Sequence, residues 1–141
     1  MARDARKARV GPPVRAERGE QAALFEWAAL QSGAYPELRL LYHIPNGGYR
    51  NLLEAAHLKA LGVKAGLPDI HLPVARGGFH GLYIELKRPK GGRTTKEQRE
   101  WLDALKEQGY LAAICPGCGE AAALLLEYLK LKTPANGSGA V

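Results

Sequence analysis

Two acidic residues and a lysine are the residues of this chain whose types and spacing indicate chemistry. Asp69 follows a Gly-Leu-Pro segment, and sixteen residues later Glu85 and Lys87 flank a leucine. Because side chains alternate along a strand, Glu85 and Lys87 should share a face, and a strand starting at Asp69 can bring a second carboxylate beside them. Close carboxylates repel each other unless a cation lies between them, and oxygen ligands select Mg²⁺ or Mn²⁺. With a lysine to orient water and balance charge on a phosphate, the spacing predicts metal-dependent phosphodiester hydrolysis.

A third carboxylate is expected from the first helix, which the apolar spacing of Leu24 and Ala28 predicts over about 15–32. Glu17 lies on the same helical stripe as these two residues, and Glu20, one i+3 step away, is the alternative. We favour Glu17 over Glu20 on this geometry. Either acid can instead be a first-turn residue that complements the helix dipole.

Gln98 is a further candidate. It shares a helix face with Trp101 and Leu102, so it should point toward the sheet and reach a metal-bound water or a phosphate. The spacing from Thr95 to Gln98 is also that of a capping box, which would by itself account for the glutamine. Both interpretations stay open from the sequence.

The charge distribution favours a polyanionic partner. The 141 residues carry a net charge of +6, and 46% of them are apolar, which suits one folded domain. The residues expected to hold phosphates are the basic ones near the predicted site and the backbone of an Asn-Gly-Gly turn: Lys64, Arg88, Lys90, Arg93 and Lys96, with Asn46, Gly47 and Gly48. No apolar run suits a membrane span or a signal peptide, so we expect a cytoplasmic protein of a bacterial or phage-infected cell.

The pattern of apolar residues and turn signals predicts an α/β domain. Strands are predicted at 38–44, 69–74, 81–87 and 110–115, with helices at about 15–32, 51–61, 95–108 and 120–130. This order, α-β-α-β-β-α-β-α, favours a mixed four-stranded sheet flanked by helices, with the last strand parallel to a neighbour. We interpret 1–14 as a flexible basic arm, 15–131 as the folded domain and 132–141 as a disordered tail.

Cys115 and Cys118 form one Cys-Pro-Gly-Cys pair, which is half of a tetrahedral zinc site. A dimer could supply the other half, and a redox role is conceivable. The ordinary interpretation is a buried cysteine at a strand end followed by a turn cysteine. His43 and His71 are expected to be strand residues with satisfied hydrogen bonds.

Taken together, these segments resemble the VRR-NUC family of virus-type replication-repair nucleases within the PD-(D/E)xK superfamily. The resemblance runs from about Glu17 to Tyr128. It depends on Glu17 with Gln21, the Ile44–Gly48 segment, the Gly62–Asp69 segment, Ile84–Lys87 and Gln98. Stand-alone phage and bacterial members are the most similar in their lack of further domains.

The resemblance implies a restriction-endonuclease-like core in which Asp69, Glu85 and the Leu86 carbonyl ligate Mg²⁺ or Mn²⁺. Glu17 would complete the arrangement, and Lys87 would lie at the attacking water. It also implies a homodimer that resolves Holliday junctions in DNA repair or recombination, since two symmetric cuts suit a two-fold dimer. The expected substrate is branched double-stranded DNA, and no nucleotide cofactor is expected. The alternatives are a restriction-type or flap nuclease on the same fold, and a non-catalytic DNA-binding module.

Overall fold

A computed structural model describes residues 13–45 and 52–135, with side chains from residue 18 onward. The elements in this part of the chain are, in order, α1 (Pro13–Gln31), a 3₁₀ helix (Pro36–Leu40), β1 (Tyr42–His43), α2 (Leu52–Ala60), β2 (Ile70–Leu72), β3 (Leu82–Lys87), α3 (Lys96–Glu107), β4 (Leu111–Pro116) and α4 (Cys118–Leu129). The predicted alternation of helices and strands is confirmed.

The four strands of the described residues form one mixed sheet in the order β1-β2-β3-β4. The pairs β1–β2 and β2–β3 are antiparallel, and β3–β4 is parallel. A parallel pair needs a crossover connection, which α3 provides. The predicted mixed sheet and its parallel last strand are therefore confirmed.

The main core lies on one face of this sheet, under α1 and α4. Leu24 of α1 and Leu125 of α4 are fully buried, and they belong to one apolar cluster with Leu82, Ile84 and Leu86 of β3. Because strand side chains alternate, the intervening Tyr83, Glu85 and Lys87 project from the opposite face. The strand that builds the core therefore also carries the candidate site.

The prediction of a single strand over 38–44 is wrong for its first half. Pro36 opens a 3₁₀ helix that ends at Leu40, and only Tyr42–His43 is extended. Proline at the first helical position lacks an N–H that would have no partner there, and its fixed φ suits the turn. Leu38 and Leu41 are the buried residues of the run, and their spacing of three is one 3₁₀ turn rather than the alternation of a strand.

No helix within residues 13–45 and 52–135 is long and apolar enough to cross a lipid bilayer.

Candidate active site

Asp69 is held against the strand that carries Glu85 and Lys87. Its Oδ2 atom accepts the main-chain N–H of Leu86 at 2.8 Å. Its own carbonyl oxygen accepts the Ile44 N–H at 2.7 Å and lies 2.8 Å from His43 Nδ1. The carboxylate and the main chain of Asp69 are thus fixed between β1 and β3, beside the Glu-x-Lys segment.

Glu85 is an acid buried without a full set of partners. Only 2% of the residue is exposed. Its Oε1 atom accepts a hydrogen bond from Gln98 Nε2 at 2.9 Å and lies 3.3 Å from Lys87 Nζ. Its Oε2 atom is buried and has no hydrogen-bond partner among the described residues. Burial and then the neighbouring Asp69 charge raise the pKa of Glu85 to about 8, against the opposing effect of Lys87.

Gln98 closes a capping box and also contacts both charged residues of the Glu-x-Lys segment. Its main-chain N–H donates to Thr95 Oγ1 at 3.1 Å, and its Oε1 accepts the Thr95 N–H at 2.9 Å, which closes the capping box at the start of α3. The same Oε1 accepts a hydrogen bond from Lys87 Nζ at 3.0 Å, while Nε2 donates to Glu85. The cap therefore fixes the amide that orients both charged side chains.

The loop before Asp69 packs directly on α3. Trp101 Nε1 donates to the Ala65 carbonyl at 2.9 Å. Gly66 has φ +85°, and a Cβ atom there would lie 2.7 Å from the carbonyl carbon and from Cβ of Glu97. Glycine is therefore required by conformation and by space. This contact brings Asp69 to the same end of α3 as Gln98.

The candidate phosphate-binding residues lie around this end of the sheet. Lys90, Arg93, Lys96 and Lys64 are exposed, and Lys96 forms an exposed ion pair with Glu100 at 3.7 Å. The half-buried Arg88 donates from Nη2 to the Gly91 carbonyl at 2.7 Å, which folds the glycine loop back on the strand end. The predicted contacts at Asn46, Gly47 and Gly48 lie outside the described residues.

Of the two acidic residues considered in the first helix, the structure describes the side chain of Glu20 and not that of Glu17. Glu17 is within α1, but its side chain lies outside the described part of the structure. Glu20 Oε2 accepts the Cys118 N–H at 2.6 Å. The N-cap residue of α4 is Gly117, which has no side chain to cap the helix, so Glu20 supplies the missing acceptor from α1.

Among the residues that the structure describes, no group of three or more His, Cys, Asp or Glu side chains is placed to hold a metal. Asp69 and Glu85 therefore stand as a pair, and Glu20 does not join them. Sequence reasoning missed the role of Glu20 at α4. A glycine directly before a helix indicates only that the first N–H groups lack a local acceptor, and it does not identify the residue that supplies one.

Cys115 is paired with Leu86 on the neighbouring strand, but its side chain lies in the main core, on the opposite face of the sheet from Glu85. Both thiols are free, with Cys115 buried in the main core and Cys118 half-buried at the start of α4. Burial raises the pKa of Cys115 to about 11. Burial and the hydrogen bond to Glu20 also raise the pKa of Cys118. These surroundings favour the thiol form over the thiolate that zinc binding requires.

A mixed sheet with two carboxylates and a lysine on the face opposite the main core, beside an amide from the crossover helix, is the arrangement of a nuclease-type α/β domain. The VRR-NUC domain family matches residues 12–118, and the chain belongs to that family. A solved structure described as a VRR_NUC domain protein is 30% identical and superposes with a TM-score of 0.73, over 84% of this chain and 91% of that one. No curated protein matches the chain significantly.

Proposed function

We propose that this domain is an endonuclease that hydrolyses DNA phosphodiester bonds with Mg²⁺ or Mn²⁺. The observation that carries the proposal is the pairing of half-buried Asp69 with buried Glu85, whose Oε2 has no partner among the described residues. A structural acid buried to this degree would be expected to have its oxygens satisfied, since an unpartnered buried oxygen costs free energy. The arrangement suits a cation that the two carboxylates share.

The donor set fits a hard divalent cation. Asp69, Glu85 and the carbonyl of Leu86 would hold it, because carboxylate and carbonyl oxygens are the ligands that Mg²⁺ and Mn²⁺ prefer. When bound, the ion would supply an activated water and charge stabilisation at the phosphate. Without a bound ion, burial and then repulsion by the Asp69 carboxylate raise the pKa of Glu85 to about 8.

Lys87 is placed to act on the substrate. Its ammonium group carries three N–H donors. In the described structure Nζ lies 3.3 Å from Glu85 Oε1 and donates a hydrogen bond to Gln98 Oε1 at 3.0 Å. A third N–H can donate to a phosphate oxygen or to the attacking water. Because Lys87 is only 7% exposed, its charge is poorly screened and balances the developing negative charge effectively.

The finer substrate assignment rests on the family and on charge. We infer branched double-stranded DNA as the substrate, with a resolvase-like homodimer placing two sites for two symmetric cuts. The net charge of +6 and the exposed lysines and arginines after β3 support a polyanion. A restriction-type or flap nuclease is the alternative on the same scaffold.

The test is cleavage of labelled four-way junction, flap and linear duplex DNA in Mg²⁺ or Mn²⁺, with Glu85→Gln as the matched control. We expect metal-dependent cutting of the branched substrates, none in EDTA and none by the variant. Cutting of linear duplex at fixed sequences would favour the restriction-type function. Metal-independent binding with no cutting of any substrate would favour a binding module and refute the enzyme assignment.

A further inference from the structure

A set of aromatic side chains lies across the sheet face that carries the acidic pair. Tyr42, His71 and Tyr83 occupy paired positions on β1, β2 and β3, and Tyr110 packs against the last of them. We call these four residues the aromatic row. The His71 and Tyr83 rings stack with centroids 4.1 Å apart and planes 5° apart. Tyr42 meets His71 edge-on at 5.3 Å, and Tyr110 meets Tyr83 edge-on at 5.2 Å.

The aromatic row is next to the candidate active site on the same surface. Asp69 precedes His71 by two residues, and Glu85 follows Tyr83 by two, so each pair shares a sheet face. Two residues along a strand span about 7 Å. Following β3, the surface therefore passes from aromatic rings to the acidic pair, then to Lys87 and the basic residues beyond it.

The row is held in place yet is open to solvent. Tyr42 is 47% exposed, while its hydroxyl lies 2.7 Å from His71 Nδ1. Gly81 makes room for the packing, since a Cβ atom there would lie 3.3 Å from His71 Nε2 and 3.4 Å from Tyr110 Cδ1. His71, Tyr83 and Tyr110 are half-buried. Such a surface loses little side-chain entropy when a ligand binds.

The chemistry of the row selects bases rather than phosphates. The row consists of three tyrosines and one histidine, and it contains no lysine or arginine that could offer an ammonium or guanidinium group to a phosphate. Nucleobases stack on such aromatic rings and hydrogen-bond to tyrosine hydroxyls. In a duplex the faces of each base are covered by its neighbours. The surface therefore suits a base that has left the stack.

We propose that the aromatic row binds an unpaired nucleobase adjoining the phosphate that enters the Asp69–Glu85 site. The proposal rests on the proposed nuclease function, and it adds that the branched substrate must present an unpaired base next to the bound phosphate. A step of about 7 Å along the strand separates the acidic pair from the row, so one nucleotide can place its phosphate at the pair and its base on the row.

The experiment measures DNA binding in EDTA, so that nothing is cut. Fluorescence anisotropy compares a splayed-end DNA with a linear duplex of the same paired sequence. Tyr42→Ala removes an exposed ring, and Tyr42→Phe keeps the ring while losing the hydroxyl. We expect Tyr42→Ala to weaken binding of the splayed DNA by about 5- to 150-fold, the range for stacking on one base. Duplex binding should be unchanged, and Tyr42→Phe should stay within about 3-fold of the wild type.

An abasic scan adds the decisive comparison. One abasic nucleotide at a time replaces the residues flanking the branch. We expect one position at which the abasic DNA binds the wild type as weakly as intact DNA binds Tyr42→Ala. At that position, combining the abasic nucleotide with Tyr42→Ala should lose no more affinity than either change alone. This coupling assigns the lost affinity to a ring–base contact. The measurement requires no catalysis, so its result tests the base contact independently of the nuclease assignment.

Three outcomes would overturn the proposal. Equal losses of affinity for splayed and duplex DNA would mean that the ring affects binding through the fold or the charge of the surface and not through an unpaired base. Additive losses at every abasic position would mean that no base contacts the row. Conversion of a dimer to a monomer by Tyr42→Ala, measured by sedimentation, would assign the row to contact between two copies of the chain. Base coupling in a protein that cuts none of its DNA substrates would uphold the row and refute the nuclease.

Discussion

Asp69 and Leu86 join the two parts of the candidate active site through one hydrogen bond, 2.8 Å from the Leu86 nitrogen to Asp69 Oδ2. Leu86 is the residue between Glu85 and Lys87, and its side chain is 2% exposed in the main core. The first carboxylate is therefore anchored to the strand that carries the second one. Since the leucine and isoleucine side chains of that strand pack in the main core on its other face, the separation of the two acids is set by a closely packed strand.

Loss of either carboxylate charge should abolish metal binding and leave the fold intact. We expect Asp69→Asn and Glu85→Gln to lower the cleavage rate by at least about 100-fold, because a bound ion contributes several kcal/mol to such reactions. Calorimetric titration with Mn²⁺ should show no binding to either variant. Circular dichroism should be unchanged, which separates this result from unfolding. Unchanged Mn²⁺ affinity in both variants would refute the proposed ligands.

Glu85 should make the metal-free domain less stable as the pH rises. Its pKa is raised from 4.5 to about 8 in the folded protein, so between these values the folded state keeps a proton that the unfolded state has lost. The free energy of unfolding should therefore fall with rising pH across that window, by at most about 1.4 kcal/mol per unit. Urea unfolding in EDTA at pH 5, 6, 7 and 8 measures the slope. Glu85→Gln should have a flatter profile, and equal slopes would contradict this assignment.

Removing the Gln98 amide should affect both the cap of α3 and the candidate active site. A substitution at Thr95 affects the cap alone and so separates the two effects. We expect Gln98→Ala to reduce cleavage by about 10- to 100-fold, the usual range for residues that orient metal ligands. Thr95→Ala removes only the hydroxyl that caps α3 and should cost about 1 kcal/mol of stability, with activity largely kept. Cleavage rates and urea unfolding of both variants provide the test. Equal activity losses would show that the cap alone matters.

Two glycines with similar backbones offer a matched test of how the Asp69 loop is placed. Gly62 and Gly66 have φ of +94° and +85°, but a Cβ atom would meet nothing at Gly62, while at Gly66 it would lie 2.7 Å from Glu97. Each alanine variant should lose about 1–2 kcal/mol from backbone strain. Gly66→Ala should lose about 1–3 kcal/mol more through overpacking, and its cleavage should fall because Asp69 is displaced. Similar stability and activity of the two variants would contradict the contact.

Glu20 should behave as a helix cap. We expect Glu20→Ala to cost about 1–2 kcal/mol of stability, since the Cys118 N–H loses its acceptor and the helix dipole loses a favourable charge. Glu20→Gln keeps an acceptor and should recover part of this. Mn²⁺ affinity should match the wild type in both variants. Loss of Mn²⁺ binding in Glu20→Gln, with Glu17→Gln unaffected, would instead make Glu20 the third ligand.

The sequence was sufficient to predict most elements and to predict that Asp69, Glu85 and Lys87 come together on one face of the sheet. Period-two alternation in β3 separated Glu85 and Lys87 from the buried leucines, and the capping box marked the start of α3. The prediction of a strand over 38–44 was wrong for its first half, because an apolar segment of that length is compatible with a strand or a 3₁₀ helix until its packing partners are known.

Contacts between distant segments could not be predicted from local patterns. Glu20 reaches the start of α4 from 98 residues away, and Gly66 is constrained by Glu97 rather than by its own turn. The aromatic row is likewise assembled from three strands and a loop. Each depends on strand register and helix packing, which are tertiary properties.

The alternation along β3 also determines which genetic changes the domain can survive. Substitutions in this strand act on one surface at a time, so a core leucine can become another aliphatic residue without touching the carboxylates. Insertion or deletion of one codon between Leu82 and Glu85 would instead shift the following residues by one position, driving Glu85 and Lys87 toward the core and Leu86 toward the face of the candidate active site. The length of this segment should therefore be under stricter selection than the identity of any aliphatic residue in it.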